Sequence, residues 1–85
     1  MKTNVYLESV QGIPPEIQKE TMMCFGISDK LSRILEDKGL TQKEFAKRMG
    51  KSESEISVWL SGQHNFTIRT LAKISTVLQN DLIHI

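Results

Sequence analysis

Two copies of one four-residue signal, Thr41-x-x-Glu44 and Ser52-x-x-Glu55, flank Gly50 and leave the chain between Thr41 and Gly62 little choice of structure. In each copy the hydroxyl at the first position accepts the backbone N–H at the fourth. The glutamate reaches back to the first N–H, so each copy marks a helix start. Gly50 ends the first helix, because a left-handed residue there reverses the chain without a side-chain penalty. Gly62 ends the second. Phe45, Ala46 and Met49 share one face of the first helix, and Ile56, Trp59 and Leu60 keep the i, i+3, i+4 spacing in the second. Helices this short are unstable alone in water, so the pair must pack together through Ala46, Met49, Ile56 and Trp59. Spacing from Ile56 turns Trp59 inward, as core rather than as a ring stacked on a ligand. Glu53, Ser54, Ser57 and Val58 are left outward.

An 85-residue chain holds one domain, and a helical bundle is the economical way to give it a core. No apolar run approaches the ~20 residues that span a bilayer, and the N-terminus lacks the continuous apolar stretch of a secretory signal. A cytosolic protein is expected. Cys24 is the one cysteine, with no clustered His, so neither an intramolecular disulfide nor a zinc site is expected. A buried or half-buried thiol is the reading. Residues 1–13 show no sustained period, although Val5-Tyr6-Leu7 suits a short strand or a packed arm. Pro15 fits the first turn of a helix. Ile17, Thr21, Cys24, Ser28, Leu31 and Leu35 recur at spacings of four and three, which allows one helix from Pro15 to Lys38. Gly26, with Ser28 as an N-cap, equally allows a break between Phe25 and Ser28. Gly39 stops whichever helix precedes it.

Beyond Gly62 comes a polar loop in which Phe66 is expected to plug onto the core. Thr67 caps a helix whose inner stripe is Ile68, Leu71, Ala72, Ile74, Ser75 and Leu78, with Arg69 and Lys73 outside and Asn80 at its end. Asp81 to Ile85 alternates Leu82 and His84 with Ile83 and Ile85, as a short strand or an interface segment would. For catalysis the inventory is poor. His64 and His84 have no nucleophile or carboxylate at a spacing that local structure would gather, and there is no Gly-rich phosphate loop, metal cluster or cofactor motif. An enzyme is not expected, nor a cofactor, and His64 reads as a solvated loop residue. Net charge is only +1, but basic residues outnumber acidic ones by three between Ser28 and Asn80, enough for salt-dependent phosphate binding in a dimer.

Gln42, Ala46, Gly50, Ile56, Trp59 and Gly62 together resemble the helix-turn-helix of Cro and C1-type repressors, also called the xenobiotic-response-element (XRE) family. A looser likeness covers Ser28 to Leu78. Within it, Trp59-Leu60-Ser61-Gly62 with Asn65-Phe66-Thr67 is similar to HigA-type antitoxins. The resemblance implies an all-α, compact four- to five-helix lambda-repressor-like domain over residues 28–80, with the helix-turn-helix at 41–62. An N-terminal arm and helical extension would occupy 1–27 and a short extended tail 81–85. The implied function is a sequence-specific DNA-binding transcription regulator, a repressor, in the cytoplasm of a bacterium or with a phage genome at the nucleoid. It would bind an inverted-repeat operator in double-stranded DNA as a homodimer, through the tail from Leu82 to Ile85 or the N-terminal segment. As the antitoxin of a toxin–antitoxin system it would also neutralise a small ribonuclease of the HigB type.

Base reading would fall to Glu53, Ser54, Ser57 and Val58. A carboxylate can accept from cytosine N4, serine can donate or accept, and valine methyls can meet the thymine methyl. No Arg or Lys is available for guanine. Many family members carry a basic or amide residue where this chain has Val58, and Glu53 and Glu55 repel phosphate. The capping box can occupy Glu55 fully. Phosphate contacts are assigned to Gln42, Lys51, Asn65, Thr67 and Arg69, where helix N-termini and cations suit an anion. Lys43, Lys47 and Lys73 read as a solvated face. The thin charge leaves a rival, a protein-interaction module of the same fold that has lost DNA binding.

Overall fold

The computed structural model describes residues 12–85, in which four helices follow one another: α1 (Pro15–Lys38), α2 (Gln42–Met49), α3 (Glu53–Leu60) and α4 (Ile68–Leu78). No strand occurs among the described residues. The segment Val5-Tyr6-Leu7 lies outside them.

α1 runs unbroken through Gly26, so the one-helix alternative is the correct one. Pro14 starts it, its carbonyl accepting the N–H groups of Ile17 and Gln18 at 3.0 and 3.2 Å. Ser28 is not a cap. It is buried, and its Oγ donates to the Trp59 carbonyl at 2.6 Å. The helix continues through Gly26 all the same, where a mid-helix glycine costs only about 1 kcal/mol relative to alanine. The first half of α1 stands clear of the core. Ile17, Thr21, Met22, Met23 and Phe25 are exposed and Cys24 is half-buried, so the expected stripe becomes buried only from Ser28 onward.

The two capping boxes form as read. Thr41 Oγ1 accepts the Glu44 N–H at 3.1 Å while Glu44 accepts the Thr41 N–H at 2.9 Å; Ser52 and Glu55 repeat this at 3.1 and 3.2 Å. Between them Gly50 takes φ 71°, and the N–H of Lys51 closes on the Ala46 carbonyl at 2.9 Å. The same closure ends α1 at Gly39, from Leu40 to Leu35. It also ends α4, but at Gln79 rather than Asn80. Gln79 is the residue other than glycine with positive φ among the described residues, at 52°, and the Asn80 N–H bonds the Ser75 carbonyl.

One core gathers Leu31, Ile34 and Leu35 of α1, Phe45, Ala46 and Met49 of α2, Ile56 and Trp59 of α3, and Leu71, Ile74 and Leu78 of α4. Phe66 plugs it from the loop and Leu82 from the tail. α3 packs on α1 and α2, and α2 also packs on α4. The stripe of α4 is narrower than its sequence pattern. Ile68 is 75% exposed and Ala72 is exposed, whereas Val77 is half-buried. Ile68 is the first helical residue, and helical side chains lean toward the N-terminus, which carries it off the edge of α2. Nor is the tail a strand: Leu82 is buried and its N–H meets Ser75 Oγ at 3.3 Å, leaving Ile83 and Ile85 exposed. Lys73 is not merely solvated. Its Nζ donates to the Met49 carbonyl at 2.9 Å, neutralising the negative end of α2.

Trp59→Ala is expected to cost about 3 to 5 kcal/mol, a large part of a small domain's stability, and to show as lost helicity and cooperative melting in circular dichroism. Gly26→Ala should act oppositely. A Cβ there meets nothing within 4 Å, so the melting temperature should rise by the equivalent of about 0.5 to 1 kcal/mol.

Candidate nucleic-acid interface

α3 divides its eight residues between two duties. Ile56 and Trp59 are buried, while Glu53, Ser54, Ser57 and Val58 are exposed, Val58 to 52%. Trp59 fixes the division. Its ring meets Phe45 edge-on with centroids 6.3 Å apart and Phe66 at 5.9 Å, and stacks on His64 at 6.0 Å. His64 also meets Phe66 edge-on at 4.7 Å, so it is a half-buried packing residue rather than the solvated one its loop position suggested.

Ser54, Ser57 and Val58 line a shallow, open depression together with Ser61 and Gln63. The last two escaped the helical reading because they lie beyond the end of α3. The turn at Gly62, with φ 89°, brings Gln63 back beside the helix. Glu53 is exposed at the first position of α3, where the positive end of the helix dipole favours it. Glu55 is spent on the cap, accepting both the N–H and the Oγ of Ser52 at 3.2 Å.

The residues assigned to phosphate fall into two kinds. Gln42 and Arg69 are exposed near the starts of α2 and α4, with no side-chain hydrogen bond or ion pair among the described residues. Gln42 borders a depression shared with Leu60, so the start of α2 and the end of α3 lie side by side. The others have duties inside the protein. Lys51 Nζ is 4.0 Å from Glu55, Asn65 Nδ2 donates to Glu20 of α1 at 2.8 Å, and Thr67 Oγ1 accepts the Thr70 N–H at 3.1 Å as the cap of α4. Lys51 is free to turn outward, its pair being exposed and worth little. Thr67 keeps only its backbone for an anion. Among the described residues no group of three or more His, Cys, Asp or Glu is placed to hold a metal.

A family model described as helix-turn-helix matches residues 31–85. No curated protein and no solved structure is matched by the chain.

The caps make the interface sensitive to acid. The backbone N–H of Thr41 holds the Glu44 carboxyl below its ordinary 4.5, and that of Ser52 does the same for Glu55. A depressed carboxylate stabilises the fold fully above its unfolded value, and the contribution is lost as pH falls through the folded one. Glu44→Gln and Glu55→Gln keep the capping hydrogen bond without its charge. They should melt below the parent at neutral pH, with the gap narrowing as the pH falls below the ordinary carboxylate value. Melting curves at several pH values check this.

Proposed function

The chain belongs to the XRE-type helix-turn-helix family, whose members are DNA-binding transcription regulators, and from that membership we propose that it is a sequence-specific repressor acting by occupancy of its operator. The observation that carries the reading is the outer face of α3. Ser54, Ser57 and Val58 are adjacent and exposed, and none serves the fold through its side chain. In this reading α3 lies in the major groove, and Glu53, Ser54, Ser57 and Val58 meet base edges. Gln42, Lys51, Arg69 and the backbone around Asn65 and Thr67 hold phosphates.

A single eight-residue helix reaches too few bases for specificity, so the active form is a homodimer on an inverted repeat, its half-sites roughly 34 Å apart. Support comes from a face away from the α3 depression. Met23, Ile68, Ile83 and Ile85 are exposed along linked grooves between α1, α4 and the tail. The likeness of Trp59 to Gly62 and Asn65 to Thr67 to HigA-type antitoxins extends the proposal to a second partner, a small ribonuclease toxin. The protein would then work in the cytoplasm, at the nucleoid. No helix of the described residues is long and apolar enough to cross a membrane.

Two substitutions separate the assigned roles. Arg69→Ala should weaken binding to every sequence by a similar factor and lower the salt slope by about one per protomer, because one fewer counterion is released. Val58→Ala should leave the slope unchanged and relax preference at one thymine per half-site. Competition binding at two salt concentrations, on operator and scrambled DNA, reads both effects. If Val58→Ala and substitutions at Glu53, Ser54 and Ser57 all bind as the parent does, the interaction-module alternative replaces this reading.

A further inference from the structure

The outer face of α3 contains no side chain able to grip a base edge at two points and so name an adenine or a guanine. Serine offers one hydroxyl and valine only methyls, while a two-point contact to adenine needs an amide. Gln63 is the amide that borders the depression lined by Ser54, Ser57 and Val58. It is exposed, and its carboxamide has no hydrogen-bond partner among the described residues.

The backbone beneath it is tied on both sides. Ser61 Oγ donates to the Val58 carbonyl at 2.6 Å and accepts the Gln63 N–H at 3.2 Å, so that hydroxyl is used to fasten the turn. Gly62 is buried with φ 89°, and a Cβ there would overlap the ring of Phe25 from α1. Glycine is therefore required twice over, by backbone angle and by the close approach of the ring. Gln63 stands on a ridge, since it also borders the groove that holds Glu20, Phe25 and Asn65. On that side the Glu20 carboxylate already accepts from Asn65. On the α3 side the serine hydroxyls of Ser54, Ser57 and Ser61 line the depression, and none of them bonds the side-chain amide.

We propose that Gln63 is a specificity-determining residue that reads one adenine per half-site, its Oε1 accepting from adenine N6 and its Nε2 donating to N7 in the major groove. This rests on the DNA-binding reading above, and its test separates the two. Sequences bound from a random duplex pool are compared for the parent, Gln63→Ala, Gln63→Glu and Val58→Ala, with competition binding on the selected operator and on scrambled DNA. The parent should select an A·T pair that Gln63→Ala no longer requires. Affinity of Gln63→Ala for the operator should fall about tenfold or more, with helicity, salt slope and binding to scrambled DNA unchanged. Gln63→Glu should move the preference at that position toward cytosine, whose N4 it can accept from. A uniform loss on operator and scrambled DNA alike would make Gln63 a phosphate contact and overturn the assignment. So would an unchanged selection by Gln63→Ala while Val58→Ala alters it, which leaves DNA reading by α3 intact. A parent that selects no sequence sinks the underlying reading, and the role of Gln63 with it.

Discussion

The indole of Trp59 touches Phe45 from α2 and His64 and Phe66 from the following loop, while its own carbonyl takes the hydroxyl of Ser28 from α1. An eight-residue helix leaves half of its carbonyls without an intrahelical partner and cannot hold its shape alone. These contacts supply what it lacks. The ring cluster sets the rotation of α3 about its own axis, and the serine bond anchors its C-terminal end. Exposure of Ser54, Ser57 and Val58 follows from that rotation. So does the start of the turn that carries Gln63.

Local chemistry explains why so much of the motif could be read from residue types. A capping box is complete within four residues, and a left-handed closure at Gly50 within six, so both are present in the sequence without knowledge of the fold. The inward placing of Ile56 and Trp59 needs only helical spacing. The family assignment and the all-helical class rest on these same residues. What could not be read depends on partners distant in the chain. Ser28 could be read as the cap of a second helix because the sequence does not show that its hydroxyl meets Trp59, thirty-one residues on. His64 looked like a loop residue because its rings of contact are Trp59 and Phe66 rather than anything in its own polar stretch. Ile68 and Ala72 were placed inside on periodicity, but α4 packs chiefly on α2, which covers a narrower stripe. The closure at Gln79 gave no glycine signal at all. Gln63 was passed over because it lies beside a helix to which it does not belong.

Charge is distributed so that the fold uses much of it. Lys73 neutralises the end of α2, Glu44 and Glu55 close caps, and Arg33 pairs with Asp29 at 2.8 Å on the exposed side of α1. Lys43, Lys47, Arg48 and Arg69 remain exposed with no ion pair among the described residues. In the DNA-binding reading these cations, with the N–H groups at the starts of α2 and α4, are what the chain offers a phosphate backbone. Affinity would then fall as salt rises, because these cations release counterions from the phosphates they meet.

On α3 the buried and exposed residues alternate at close quarters: Ile56 beside Ser57, Val58 beside Trp59. Neighbours in the chain thus belong to separate problems. Substitutions at 54, 57 and 58 alter the chemistry offered to a groove while every atom of the core keeps its place, and the same holds for Gln63 on its tied turn. If these four positions read bases as proposed, a library at them would vary operator preference among mostly folded proteins, because none of the four side chains lies in the core.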